Sequence, residues 1–499
     1  FHHYVIEEKG KIHAEVTELI TSPESEGVRF NFEIKYLNGL NANLAYRLYQ
    51  KNHNQVSTNG LRNGRAQVLW LLPKQKSFQV DVKLKNNKPI IPDGYSISSV
   101  NLPENINESM GDFEPSGMDF DENGNLYVST RTQGVWRYKD KQWNLFADGL
   151  YDALGVNCRD EGVYIVQKPE VTLLQDRDKD GVADYYRNVS NKWRFTGEFH
   201  EFAYGPVFDS KDNLFISTNL SDNKYFQAHT AQMQMCTPLG FRGCVLRKTP
   251  DGELLPYAYG FRSPAGIGIN DDDEVFITDN QGDWVPSSYL MHVNPGKFHG
   301  HPASLWDTKE YGGNTILTYK NLEKVPETVP PLNYEKLTRD RILPTVWLPH
   351  EEFSNSPGNP EIAKNDKFGP FKGQMFIGDF TTKKILRVCL EKVGGAYQGA
   401  VMNFISPMQC GAFRLRFDSQ GKLWVGELSR GWARGDPGIE VISWDGTTLP
   451  FEILKINLTE KGFDLHMTKP VSDKAINTQQ IQVEEFNYEY SHLYGSQRM

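Results

Sequence analysis

The chain of 499 residues carries 63 acidic and 54 basic side chains, which gives a formal net charge of −9. An acidic protein lacks the basic surface that nucleic acids require, so we expect no nucleic-acid partner. No stretch approaches the roughly 18 consecutive apolar residues of a membrane-spanning helix, so we expect no transmembrane segment. The aromatic content of 12% suits a globular protein rich in β-structure.

The first part of the chain, residues 1–92, has the alternating pattern of β-strands. Apolar and polar residues alternate in residues 28–37 and again in residues 77–84. Pro92 marks a change of composition after this pattern. We therefore predict an N-terminal β-rich domain or fragment over residues 1–92.

One sequence phrase recurs six times in the middle of the chain. The phrase is an apolar run, a turn of Asp, Asn or Gly, and an alternating run, which together are typical of a β-hairpin. Five of the six copies carry the turn, and the copy at Phe368 is weaker. The copies begin at Pro115, Leu154, Phe202, Pro264, Phe368 and Phe413. Hairpins that repeat in this way, most of them followed by further strands, make the blades of a propeller. The sequence thus predicts an all-β protein with a six-bladed β-propeller over residues 93–455.

Two further segments differ from the repeats. Residues 310–352 are rich in proline, asparagine and charge, and we expect them to form a loop over one face of the propeller. A new β-pattern begins after Ile453. We interpret residues 456–499 as the start of an incomplete C-terminal β-sandwich, because a complete one needs about 100 residues.

An acidic loop in the second repeat has the spacing of a calcium site. Its carboxylates fall at alternate positions, and Gly181 permits the sharp turn that such loops contain. The predicted ligands are the carboxylates of Asp176, Asp178, Asp180 and Asp184 and the backbone carbonyl of Val182. The alternative is an acidic turn that binds only water.

Residues that start the innermost strands are candidates for chemistry, because these strands line the channel of a propeller. His200, Arg262 and Arg414 lie at the starts of the third, fourth and sixth repeats. A histidine and two arginines at one channel mouth would supply a general base and a clamp for an anion or a carbonyl group. Structural roles for the same side chains remain open. The residues after the second strand of the fourth repeat would bind sugar hydroxyls or a cation, and they are Asp279, Asn280 and Gln281.

Several ordered motifs carry a resemblance to a known family. They are LQDRDKDGVADYY, HEFAYGP, FRSPAGIGI, ITDNQGDW and NPGKFHGHP, at residues 174–186, 200–206, 261–269, 277–284 and 294–302. They resemble the soluble quinoprotein glucose/sorbosone dehydrogenase superfamily. Within this group, the chain resembles more closely the bacterial "membrane-bound dehydrogenase" propellers, which are often fused to c-type cytochrome modules. This resemblance covers about residues 93–499.

The resemblance implies roles for individual residues. His200 matches the base that takes the proton of the substrate hydroxyl, and Arg262 matches an arginine at the cofactor and substrate. Hydride would pass to pyrroloquinoline quinone (PQQ), a cofactor that carries the redox chemistry while the protein orients it. A lysine and further arginines hold the carboxylates of the quinone in this family. Lys383, displaced along the chain, and Arg414 are the residues that stand nearest to those positions.

Together these features predict a secreted or periplasmic sugar or alcohol dehydrogenase that passes electrons to a c-type cytochrome. Two alternatives stay open at this point. One is a non-catalytic propeller that binds glycans or assembles with other subunits of an extracellular complex. The other is a polysaccharide lyase or hydrolase that uses the same channel mouth.

Overall fold

A computed structural model describes most of the chain. The described residues are 90–107, 111–221, 234–235, 240–307, 334–431, 433, 435–471 and 483–499, together with the backbone of six strands before residue 85. Those strands are β1 (His2–Glu8), β2 (Lys11–Thr21), β3 (Arg29–Tyr36), β4 (Ala66–Leu69), β5 (Ser77–Gln79) and β6 (Asp81–Leu84). Strands β1, β2 and β3 form an antiparallel sheet, to which β6 adds in parallel.

The first three blades are four-stranded antiparallel sheets that follow β7 (Tyr95–Ser99) in the chain. Blade 1 contains β8 (Pro115–Phe120), β9 (Leu126–Thr130), β10 (Val135–Lys139) and β11 (Gln142–Ala147). Blade 2 contains β12 (Gly155–Arg159), β13 (Gly162–Val166), β14 (Val171–Gln175) and β15 (Tyr185–Ser190). Blade 3 contains β16 (Ala203–Phe208), β17 (Leu214–Thr218), β18 (Cys244–Lys248) and β19 (Leu254–Tyr259).

Three more blades complete the ring, and β7 supplies the fourth strand of the last one. Blade 4 contains β20 (Gly266–Ile269), β21 (Val275–Asp279), β22 (Ser288–His292) and β23 (Val346–Leu348). Blade 5 contains β24 (Pro357–Ile362), β25 (Met375–Asp379), β26 (Lys384–Val393) and β27 (Ala396–Ile405). Blade 6 contains β28 (Gly411–Phe417), β29 (Leu423–Leu428) and β30 (Gly438–Trp444). Strand β7 pairs with β30 as the fourth strand, so the chain closes its own ring. The predicted six-bladed propeller is confirmed.

The recurring turns of the sequence have one physical explanation. In blades 1, 3, 4 and 6 the residue that opens the first turn accepts the backbone N–H groups two and four positions further on, at 2.8–3.0 Å. These residues are Asp121, Asp209, Asn270 and Asp418. A side-chain oxygen thus replaces a backbone acceptor and fixes the hairpin locally.

The fifth repeat begins earlier than the sequence indicates. Its first strand, β24, has the sequence PGNPEI and contains two prolines, so it lacks the apolar run of the other copies. Phe368, where the prediction placed the start, belongs instead to a short 3-10 helix, Asp366–Phe368, before β25. The other helices among the described residues are a 3-10 helix, Pro302–Asp307, and α1 (Tyr334–Asp340).

The innermost strands approach one another so closely that side chains cannot fit between some of them. A Cβ atom on Gly155 of blade 2 would lie 1.5 Å from the carbonyl oxygen of Gly205 in blade 3. A Cβ atom on Gly358 of blade 5 would lie 1.9 Å from the carbonyl oxygen of Phe413 in blade 6. Glycine is therefore required at these two positions by backbone contact between neighbouring blades.

Arg414 bridges several blades across the channel. Its guanidinium donates hydrogen bonds to the carbonyl oxygens of Ser116 at 2.7 Å, Ala265 at 2.9 Å and Leu154 at 3.4 Å. Burial lowers the pKa of Arg414 to about 10, so the group stays charged at neutral pH. Arg414 lines a cavity of about 300 Å³ at one end of the channel.

Residues outside the ring also contact it. Strand β4 pairs with β27 as a fifth strand of blade 5, and β5 pairs with β33 (Glu484–Phe486) near the C-terminus. Strands β31 (Ile453–Thr459) and β32 (Gly462–Met467) form a hairpin after blade 6. The predicted domain boundaries at residues 92 and 455 stay predictions. Of the predicted loop 310–352, residues 310–333 lie outside the described part of the chain. No helix among the described residues is long and apolar enough to cross a membrane.

We predict that Arg414→Met lowers the free energy of unfolding by about 3 kcal/mol, because buried carbonyl groups of three blades lose their donor. Urea denaturation of the two proteins measures this difference. Arg187→Met is the matched control, since the Arg187 side chain is 46% exposed and pairs with Glu161 at the surface. Equal stability of the Arg414 variant and the control would contradict a bridging role.

Candidate functional site

A cavity of about 770 Å³ opens at the end of the channel where the innermost strands begin. All six blades contribute to it. Its aromatic wall consists of Phe199, Phe202, Tyr204, Phe380, Phe413 and Tyr494. Its amide side chains are Gln234, Asn280, Gln281 and Asn355. Aromatic faces with a few amides at the rim suit an uncharged polar ligand with an apolar face.

His200 lines this cavity on the segment that enters blade 3, and its side chain is 44% exposed. The backbone N–H of His200 donates to Oε2 of Glu198 at 2.7 Å, and its Nδ1 lies 3.4 Å from Oε1 of the same carboxylate. In the tautomer that carries its proton on Nδ1, the ring donates toward the carboxylate and Nε2 is left as an acceptor. This arrangement equips His200 to accept a proton from a ligand.

Lys168 holds the segment before His200 in place. Its Nζ donates to the carbonyl oxygen of Phe199 at 2.8 Å and lies 3.1 Å from the carboxylate of Asp152. The side chain is almost fully buried, and this burial lowers the pKa of Lys168. A buried cation that is satisfied in this way fixes the position of the chain at His200.

Arg262 lines the cavity and is oriented by a buried carboxylate. Its Nε donates to Oδ1 of Asp283 at 2.7 Å, while Oδ2 lies 3.2 Å from Nε2 of the buried His301. The backbone N–H groups of Gln234 and Met235 also donate to Oδ2. Burial raises the pKa of Asp283, but the hydrogen bonds and charges of His301 and Arg262 outweigh it and hold this pKa well below its usual range. Asp283 is therefore the carboxylate that positions Arg262.

The three residues predicted to bind substrate separate in the structure. Asn280 and Gln281 line the cavity. Asp279 is fully buried beneath them, where its carboxylate accepts the backbone N–H of Arg262 at 2.8 Å and of Ser263 at 2.7 Å. The prediction for Asp279 is corrected accordingly, because its oxygens anchor the entry of blade 4 and do not face the cavity.

Two residues predicted to bind the cofactor lie elsewhere. Arg414 is occupied by backbone carbonyls across the channel, and it lines the smaller cavity at the opposite end. Lys383 does not line the large cavity, and its Nζ lies 3.4 Å from the carbonyl oxygen of Gln409. The predicted contacts of both residues with a ligand at this mouth are therefore corrected.

The charges of the cavity do not fit PQQ, which carries three carboxylates. Each of the three arginines in the wall, Arg131, Arg262 and Arg430, is paired with a carboxylate of the protein. Arg430 donates to both oxygens of Glu114 at 2.9 and 2.7 Å, and Arg131 donates to both oxygens of Asp152. A guanidinium group whose positive charge is already balanced by a carboxylate contributes little to the binding of an anionic ligand. The described residues are thus better matched to an uncharged ligand.

The predicted calcium loop joins the two outer strands of blade 2, and none of its residues lines the large cavity. Ligand oxygens of Asp176, Asp178 and Asp184 lie within 4.8 Å of one another. Asp180 is not a member of this group, and its Oδ1 accepts the backbone N–H of Val182 at 2.8 Å. The loop therefore brings together three of the four predicted carboxylates.

Sequence reasoning missed several residues of the site. Glu198 and Asp283 orient His200 and Arg262, and the sequence assigned neither of them this positioning role, although Asp283 belongs to the ITDNQGDW motif. The pair of Arg430 and Glu114 joins residues that are 316 positions apart in the chain. Tyr494 reaches the cavity from the C-terminal residues, which no repeat predicts. The usable signals were the nearness of Glu198 to His200 in the sequence and the place of Asp283 in the ITDNQGDW motif.

Comparison with solved structures shows the same propeller fold. A structure from Thermus thermophilus, described as a putative oxidoreductase (glucose dehydrogenase), is 17% identical, with a TM-score of 0.50, and the match covers 70% of this chain and 100% of that one. The PQQ domain of a pyranose dehydrogenase from Coprinopsis cinerea is 11% identical, with a TM-score of 0.49, and the match covers 72% and 98%. At such identities the likeness shows the fold and does not show the activity.

Comparison with sequences gives one clear assignment. No curated protein matches this chain. A family model matches residues 138–400, which is more than half of the chain and spans blades 2 to 4 with most of blade 5. The chain therefore belongs to the family described as a domain of unknown function, DUF7133.

Proposed function

We propose that this protein is a dehydrogenase-like propeller that binds a sugar or another polyol at the mouth of its channel. His200 then accepts the proton of a ligand hydroxyl group, while the hydride on the same carbon passes to a two-electron acceptor bound beside the sugar. Arg262, Asn280 and Gln281 hydrogen-bond to neighbouring oxygens. The aromatic wall packs against the apolar face of the sugar ring. The substrate class is inferred from a wall of aromatic and amide side chains in which each lining arginine is paired with a carboxylate.

The observation that carries the proposal is the pairing of His200 with Glu198 at the cavity wall. The carboxylate accepts both the backbone N–H and the Nδ1 side of the ring. A base that is oriented by a second group has its acceptor nitrogen aimed in one direction. The His200 ring is about half exposed and accessible to a ligand, whereas the rings of His299 and His301 are buried.

A non-catalytic glycan-binding propeller is the second candidate, and the same ion pairs favour it. A site for PQQ would need cations that are free to meet three carboxylates, whereas Arg131, Arg262 and Arg430 already have partners. A lyase that neutralises a uronate through Arg262 meets the same difficulty. Secretion or a periplasmic location and transfer of electrons to a c-type cytochrome stay predictions from the sequence, whereas the paired arginines argue against the predicted binding of PQQ.

We also propose that the acidic loop of blade 2 binds Ca²⁺ in a structural role. The support is the convergence of oxygens from Asp176, Asp178 and Asp184, since calcium prefers several carboxylate and carbonyl oxygens around one centre. A bound ion there would join the ends of β14 and β15, which the loop connects. This role is independent of the chemistry at the channel mouth.

We predict that His200→Ala lowers the rate of sugar oxidation by about 100-fold or more, because the base that takes the hydroxyl proton is removed. Turnover is measured on a panel of neutral sugars with an artificial electron acceptor. Glu198→Gln should cause a smaller loss, since it removes only the orienting charge. His466→Ala replaces an exposed histidine of the C-terminal hairpin and should change nothing. Full activity of a folded His200 variant would contradict the assignment.

Calorimetric titration with neutral sugars and with PQQ distinguishes the two candidate functions from a PQQ-dependent activity. We predict that the calcium-loaded protein binds neutral sugars in calorimetry and that PQQ shows no saturation near one equivalent. Sugar binding without turnover by any acceptor would favour the glycan-binding candidate. Saturable binding of PQQ, lost in Arg262→Gln, would contradict our interpretation of the cavity charges.

We predict that calcium raises the melting temperature and that EDTA reverses the rise. At a calcium concentration 100 times the dissociation constant, the added stability is about 2.7 kcal/mol. Asp178→Asn should abolish the response, whereas Asp160→Asn, an exposed acid in another turn of the same blade, should keep it. Identical melting of the wild-type protein in calcium and in EDTA would contradict a calcium site.

A further inference from the structure

The last residues of the chain run along the mouth of blade 4. We call residues 488–499 the C-terminal segment. Its backbone pairs with the loop after β21: Trp284 donates its N–H to the carbonyl of Ser491 at 3.1 Å, and Gly495 donates to that of Gly282 at 3.0 Å. The N–H of Ser496 donates to the carbonyl oxygen of Pro286 at 3.0 Å. These bonds fix the segment along several consecutive residues.

Side chains anchor the same segment on both sides. The ring of Tyr490 lies 5.1 Å from the buried indole of Trp284, and its hydroxyl donates to the carbonyl of Gly300. The guanidinium carbon of Arg341 lies 4.0 Å from the Tyr490 ring centroid. Near the end of the segment, Arg498 pairs with Glu352 at 2.9 Å. The segment is therefore held by the propeller and belongs to the wall of its mouth.

Tyr494 projects from this segment into the large cavity. It is 60% exposed, and the guanidinium carbon of Arg262 lies 5.3 Å from its ring centroid. The next residue, Gly495, has φ +69°, and a Cβ atom there would lie 2.8 Å from the side chain of Gln281. The anchored backbone thus places Tyr494 beside Arg262 and Gln281, which both line the cavity.

We infer that Tyr494 is a stacking residue that binds the apolar face of a sugar ring and helps to set the specificity of the mouth. The inference rests on the proposed function, because it needs a sugar in the same cavity. Most of the ring remains uncovered although Arg262 lies over it, so a ligand can reach its surface. A large aromatic face held at low entropic cost beside hydrogen-bond donors is a common means of recognising a ring that is apolar on one side and polar at its edge.

We predict that Tyr494→Ala weakens the binding of neutral sugars by about fivefold to tenfold, whereas Tyr494→Phe retains affinity because it keeps the ring. The measurement is calorimetry with glucose, xylose and maltotriose as probes. Leu493→Ala is the matched control, since Leu493 is 61% exposed on the same segment and does not line the cavity. Thermal melting of each variant checks that the fold is kept.

A double-mutant cycle separates direct contact from an effect through Arg262. If Tyr494 contacts the sugar, Tyr494→Ala weakens binding by a similar factor in the Arg262→Gln background. A loss that disappears in that background would overturn the inference and leave Tyr494 as a residue that only positions Arg262. Equal affinity of wild type and Tyr494→Ala would overturn it while sparing the proposed function. Failure of the wild-type protein to bind any probe sugar would overturn both.

Discussion

The ring depends on the contact of its innermost strands around the channel. Their backbones approach closely enough to require glycine at Gly155 and Gly358, and carbonyl groups of several blades point into the channel. Arg414 supplies the donors for three of these blades through one planar group. A guanidinium suits this place because its donors fan out in a plane and it remains charged even when buried.

The backbone at the mouth is held by a second interaction, a hydrogen bond that recurs in three blades. In blades 4, 5 and 6 an acid at the end of the second strand accepts a backbone N–H from the residues that enter the first strand. These acids are Asp279, Asp379 and Glu427. They fix the loops from below, so Arg262 projects from a supported backbone. The side chains of the cavity are therefore positioned before any ligand arrives, which reduces the ordering cost of binding.

Charge balance decides which ligands the mouth favours. Arginines of blades 1, 4 and 6 line the cavity, yet each has a carboxylate partner, so the wall is polar without a strong net field. The ring itself does not set this preference, because one propeller architecture can carry many different sites and the choice of ligand rests on a few side chains. Residues outside the ring add to this selection, because the C-terminal segment contributes Tyr494 to the wall.

The sequence alone determined the number of blades, because turn residues and strand alternation are local and recur along the chain, although the start of the fifth blade was placed too late. It also identified His200 and Arg262, which lie beside strand starts that a propeller must bring to its channel. Tertiary structure alone decided the partners, since Arg430 meets Glu114 across the closure of the ring. It also showed that Arg414 and Asp279, which were predicted to bind ligands, are buried and hydrogen-bond to backbone groups that they stabilise. Local patterns specify strands and turns, whereas pairing between distant residues depends on how the ring closes.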